Sequence, residues 1–144
     1  MTDEGTWVET IEAPVEEATL DLVQDRLEAF WTRAVSVEPT ERMKLEMAIV
    51  EIVGNIIEHA FAVDTTDGGR VLSVVLRADA DSIEAVISDN GLPTALDLGS
   101  VTMPDEDAVS GRGLALTVAA VDEMRYERVD GRNHWTLRLA RQAG

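Results

Sequence analysis

Residues 43–61 read MKLEMAIVEIVGNIIEHAF (Met43 to Phe61), and the fold turns on how this stretch is read. Leu45, Ile49, Ile52, Ile56 and Ala60 recur at the spacing of one buried helix stripe. Glu51 and Asn55 fall one turn apart on another face, roughly 110° from that stripe. One long helix is therefore expected to bury one side and hold a carboxylate beside a carboxamide on another. Such a pair can serve a metal and a proton transfer, and it can equally be a wet helix surface. The rest of the chain decides between these.

Upstream, Thr40 is the expected N-cap of this helix, which should run to about Ala62 after a break at Val37-Glu38-Pro39. An earlier helix is expected from Pro14 to about residue 34, with Leu20, Val23, Leu27, Phe30 and Ala34 in helical time and Glu16 and Glu17 at its positive end. Before it, Thr6 to Ile11 alternates as a strand, with Trp7, Glu9 and Ile11 on one side.

Downstream, the polar, glycine-rich Val63–Gly69 reads as a loop. Arg70–Arg77 and Ser82–Ser88 read as strands joined by a turn at Asp79-Ala80-Asp81. The first has apolar residues in both phases (Leu72, Val74, Leu76; Val71, Val75), the pattern of a central strand. Residues 92–110 hold two prolines and little periodicity, as expected of a functional loop or lid. Gly111-Arg112-Gly113 opens an apolar run read as a helix to about Asp122. Met124–Val129 and His134–Ala140 close the chain as a hairpin around Asp130-Gly131. Hairpin-paired strands beside segregated helices predict an α+β fold: a two-layer sandwich with a mixed, mostly antiparallel sheet covered by helices on one face.

The 144 residues suit one domain, 1–144, and a hydrophobic content of 45% excludes a disordered chain. No apolar run approaches a membrane span, and the acidic MTDEGTWVET lacks the pattern of a secretory signal. With no cysteine there is no disulfide framework or thiolate chemistry, and a cytoplasmic location is expected. The net charge is −16; residues 1–65 hold 15 acidic and 4 basic side chains, against 13 and 8 in 66–144. Nucleic acid is therefore not expected as a direct partner, for want of a cationic surplus to displace its counterions. A basic protein surface would meet a complementary field. The only histidines are His59 and His134, so no histidine metal site is expected.

Three local signals lie in order: Glu51-x-x-x-Asn55-x-x-x-His59 on the long helix, Asp89-Asn90-Gly91-Leu92-Pro93 at a strand exit, and Gly111-Arg112-Gly113-Leu114 at a helix start. Singly, each has a commonplace explanation: a polar helix face, an Asx turn, a glycine-rich helix entry. Jointly they meet the needs of a nucleotide. Its adenine amino group wants a carboxylate, its close approach wants glycines, its phosphates want helix N-terminal amides, and Mg²⁺ wants a hard oxygen. No phosphate-binding loop carrying a lysine occurs.

In this order the three signals resemble the N box and two glycine boxes of the ATPase superfamily of gyrase, heat-shock chaperone and histidine kinases. The chain is most similar to bacterial anti-sigma factor serine/threonine protein kinases of partner-switching systems, above all in Asp-x-Gly-x-Pro followed by a short lid and Gly-Arg-Gly-Leu-Ala-Leu. The resemblance spans nearly the whole chain and implies a histidine kinase-like, Bergerat-type fold. It implies that Asn55 coordinates Mg²⁺ on ATP, that Glu51 is the general base toward a substrate serine, that Asp89 takes the adenine amino group, and that Gly91 lets the base lie on the backbone. Gly111, Gly113 and the amides around Leu114 would wrap the phosphates, with Arg112 either beside them or solvated at the lid edge. The partners implied are an anti-anti-sigma antagonist protein as substrate and a sigma factor; homodimers are common in the family. An alternative reading keeps the ATP site as a gate for sequestering a partner and drops the transfer.

Overall fold

The computed structural model describes residues 6–34, 36–63, 70–91 and 120–141, and for residues 59–63 the backbone alone. The elements in chain order are β1 (Trp7–Pro14), α1 (Glu17–Arg33), α2 (Pro39–Val63), β2 (Val71–Ala78), β3 (Ser82–Asp89), β4 (Glu123–Val129) and β5 (Arg132–Ala140). The strands form one sheet in the order β1-β2-β3-β5-β4, and all four pairings are antiparallel. The expected α+β architecture is present. The expectations for the 64–69 loop, the 92–110 lid and the helix opening at Gly111 lie outside the described residues.

Strand alternation sets which side of the sheet is buried. Ile11, Leu72, Val74, Leu76, Ile83, Ala85, Ile87, Trp135 and Leu137 form one core with Val23, Leu27 and Phe30 of α1 and Leu45, Ile49 and Ile52 of α2. Each fully buried aliphatic or aromatic side chain contributes about 1.5–3 kcal/mol. The other side carries no described helix. There Arg77, Glu84, Arg138 and Glu123 stand opposite one another across four strands, a row of alternating charge suited to water. Val71 and Val75 are half-buried on that side, where no described helix covers the second apolar phase of β2.

Along α2 the buried stripe is broader than the predicted one. Val53 and Ile57 are buried while Ile56 is only half-buried. The reason is α1, which packs on the flank of α2. Glu46 shares that flank with Val53 and Ile57 at helical spacing, and its Oε1 accepts a 3.0 Å hydrogen bond from the Trp31 indole of α1. Helix α2 is thus buried on two sides, sheet and helix.

Two predicted boundaries move. Pro14 ends β1 and does not open α1, because β1 pairs with β2 through the Pro14–Val71 register; Thr19 Oγ1 then bonds the Pro14 carbonyl at 2.5 Å. Pro39, not Thr40, stands at the first turn of α2, where a missing N–H costs nothing. The Glu38 N–H is bonded by Glu41 Oε1 at 3.1 Å, half of a capping box. The turns match expectation. Asp79 Oδ1 accepts from the Asp81 and Ser82 amides at 2.8 and 2.9 Å, which hold its carboxyl below the usual range. Asp130 and Gly131 take φ of 52° and 76°, the geometry of a type I′ hairpin turn.

Candidate functional site

Helix α2 places Glu51 and Asn55 one turn apart, both half-buried at the margin of the core stripe. The Asn55 side chain hydrogen-bonds the Glu51 carboxylate. Burial raises the Glu51 pKa, the bond from Asn55 acts against it, and the neighbouring Glu58 raises it further. A half-buried carboxyl pushed toward neutrality is a better proton acceptor at neutral pH than an ordinary one. Glu58 itself is exposed. The side chain of His59 is outside the described residues.

Asp89 ends β3 in the inward phase set by Ile83, Ala85 and Ile87, and is 5% exposed. The same side of β3 receives α2. Its Oδ1 accepts from the Gly91 amide at 2.7 Å, closing the Asp89-Asn90-Gly91 turn. Asn90 extends the β2–β3 ladder, its Oδ1 accepting from the Val71 amide at 2.9 Å, while Arg70 donates to the Asn90 carbonyl at 2.7 Å. The turn is therefore held from both strands.

A further residue joins it. Asn133 of β5 lies opposite Asp89 in register and donates Nδ2 to Asp89 Oδ1 at 3.1 Å. Asn133 Oδ1 in turn accepts from the Tyr126 hydroxyl at 2.5 Å and from Arg128 at 2.9 Å. The same Arg128 nitrogen reaches the Gly91 carbonyl at 3.1 Å. Asn133 was not among the predicted site residues, although β5 carried a signal for it. Asn133, Trp135, Leu137 and Leu139 share one phase, and Asn133 is the polar member of an otherwise apolar face.

The structure thus brings Glu51 to Asn55 and Asp89 to Gly91, on the helical side of one sheet. Gly111, Arg112, Gly113 and Leu114 are outside the described residues. Among the described residues, no cluster of three or more His, Cys, Asp or Glu side chains could hold a metal. Asn55 carries a side-chain oxygen that could hold Mg²⁺, an ion that takes few protein ligands and completes its shell with phosphates and water. No described helix is long and apolar enough to cross a membrane.

A family model described as a histidine kinase-like ATPase domain matches residues 13–139. Among solved structures, that of the RsbU and RsbW domains of a Mycobacterium tuberculosis protein superposes with a TM-score of 0.63 at 22% identity, covering 95% of this chain and 34% of that one. The SiaB–SiaC complex of Pseudomonas aeruginosa gives 0.58 at 15% identity, covering 92% of this chain and 89% of its counterpart. At these identities the likeness establishes the fold. This chain spans about a third of the length of the Mycobacterium chain. No curated protein sequence matches it.

Proposed function

The chain belongs to the histidine kinase-like ATPase family, and from that premise we propose that it binds Mg²⁺-ATP and phosphorylates a serine or threonine of an anti-anti-sigma antagonist, holding a sigma factor when the antagonist is modified. The carrying observation is the Glu51–Asn55 pair: a half-buried carboxyl of raised pKa with a half-buried carboxamide one helical turn along. Phosphoryl transfer rests mainly on positioning and charge neutralisation, so one oriented base, one metal ligand and backbone amides suffice.

Glu51 would accept the proton of the substrate hydroxyl, and Asn55 would hold Mg²⁺, which would neutralise phosphate charge. Asp89, buried at the sheet margin, accepts from the adenine amino group, and Gly91 lets the ring approach the backbone. Gly111, Arg112, Gly113 and Leu114 enclose the phosphates. On this reading residues 1–144 form one ATP-binding domain acting in the cytoplasm, as a monomer or a homodimer. The Mycobacterium neighbour with its RsbW domain and the Pseudomonas neighbour solved with SiaC support a partner-switching role. The acidic N-terminal half suits a basic surface on the sigma factor.

The test is transfer of labelled phosphate from ATP to a purified anti-anti-sigma protein. Label on a serine or threonine of that protein supports the kinase. ATP binding and partner capture with no transfer would leave instead a nucleotide-gated sequestering module.

A further inference from the structure

The polar row at the margin of the sheet's buried side has a direction. Arg128, Asn133 and Asp89 stand opposite one another in register across β4, β5 and β3. Asn133 is 4% exposed and Asp89 5%. Arginine can only donate, so its bond to Asn133 assigns that atom as the carbonyl oxygen; the Asp89 carboxylate only accepts, so the atom facing it is the amide nitrogen. Tyr126 donates to the same Asn133 oxygen, and its ring lies 4.8 Å from that of Trp135, which fixes it from behind. The amide of Asn133 therefore has one orientation.

The consequence falls on Asp89. Both hydrogen bonds that its carboxylate receives from described residues, from Gly91 and from Asn133, land on Oδ1. With one oxygen held by two donors, one from the chain turn and one from the neighbouring strand, rotation of the carboxylate is restrained and Oδ2 is left as the acceptor. An acceptor so held bonds a 6-amino purine and opposes the lone pairs of a 6-oxo purine.

We propose that Asn133, clamped by Tyr126 and Arg128, is the positioning residue that makes the Asp89 site select a 6-amino over a 6-oxo purine. This rests on the reading of Asp89 as the adenine acceptor. A site whose buried polar group is left unpaired by the wrong ligand rejects it strongly, and that rejection holds only while the group cannot turn or take up a bridging water. Without Asn133, of its two bonds from described residues Asp89 retains the one from Gly91 and can do both.

The test is calorimetric titration of the full chain with Mg²⁺-ATP and with Mg²⁺-ITP, comparing wild type, Asn133→Ala and Tyr126→Phe. Wild type is expected to prefer ATP by about tenfold or more. Asn133→Ala should bring the two dissociation constants to within about threefold, and Tyr126→Phe should lie between. Parallel weakening of both nucleotides in Asn133→Ala, with the ratio preserved, would assign Asn133 a purely structural role and overturn the proposal. So would a wild type that does not distinguish the two. A wild type that binds neither overturns the ATP-site reading itself. If circular dichroism shows Asn133→Ala unfolded, Tyr126→Phe and Arg128→Ala decide, and an unchanged ratio in both overturns the proposal.

Discussion

Asp89 occupies an inward position of β3 that its apolar neighbours Ile83, Ala85 and Ile87 would lead one to fill with another aliphatic. Burying a carboxylate there is costly unless donors meet it, and Gly91 and Asn133 do. Asp89→Asn replaces an acceptor by a group that presents donors toward the same ligand, and should weaken ATP binding by about ten- to a hundredfold. An unchanged dissociation constant would count against the adenine contact. Glu51 carries a pH signature. Its folded pKa is raised, so the folded chain keeps the proton to higher pH than the unfolded chain does. Below the ordinary glutamate value both states are protonated and burial costs nothing; as pH rises through that value and Glu51's own higher one, stability falls. The urea midpoint of Glu51→Gln should therefore gain on wild type across that window and level off above it. A difference that is flat with pH would contradict the raised pKa. At this scale the sequence was partly legible. Glu51, Asn55, Asp89 and Gly91 were marked by motif spacing. Asn133 was not, because its role comes from register between β3 and β5, and register is set by tertiary pairing that no local pattern encodes.

Helix α2 is the element on which the candidate site stands. Its existence and core stripe were readable from periodicity, but its second buried flank was not, since that depends on where α1 lies. Its start was misread at Thr40 because a hydroxyl is the commoner cap; here Pro39 preorganises the first turn, and Glu41 reaches back to the Glu38 amide. The end of β1 shows the converse effect. Pro14 looks like a helix start, yet it sits where an edge strand tolerates proline, paired with Val71. Gly54 lies one residue before Asn55, and a Cβ built on it meets nothing within 4 Å. Gly54→Ala should stabilise the chain by about 0.5–1 kcal/mol through helix propensity, read as a higher denaturation midpoint. A loss of stability would show that the bare backbone at this position is needed in the folded chain. At the hairpin the expectation reverses. Gly131 has φ +76°, so Gly131→Ala should cost on the order of 1 kcal/mol despite open space around it.

Across the whole molecule, Arg141 ties together segments far apart in sequence. Its guanidinium donates to the Asp79 carbonyl and the Ser36 carbonyl, each at 2.7 Å, and lies 3.8 Å from Glu41 Oε1 with both side chains largely buried. The β2–β3 turn, the α1–α2 connection and the first turn of α2 are thereby joined at the end of the chain. Arg141→Ala removes a cation 3.8 Å from the buried Glu41 carboxylate together with two bonds to backbone carbonyls, and should destabilise the fold by roughly 3 kcal/mol in urea denaturation. A loss below about 0.5 kcal/mol would mean the pair is solvated in solution. The placement of the described helices on one side of the sheet was legible from the segregation of helices and hairpin-paired strands, whereas the alternating-charge row on the other side depends on cross-strand register. On the proposed function, what stands on that frame is a base on α2 that takes the proton of a substrate hydroxyl as that oxygen receives phosphate from a nucleotide held at β3. Its most direct test measures Mg²⁺-ATP binding and phosphate transfer to the antagonist on the same preparation of Glu51→Ala. The expected result is a dissociation constant within about threefold of wild type with transfer reduced at least a hundredfold, the scale of losing a general base. Normal transfer by Glu51→Ala would contradict the account.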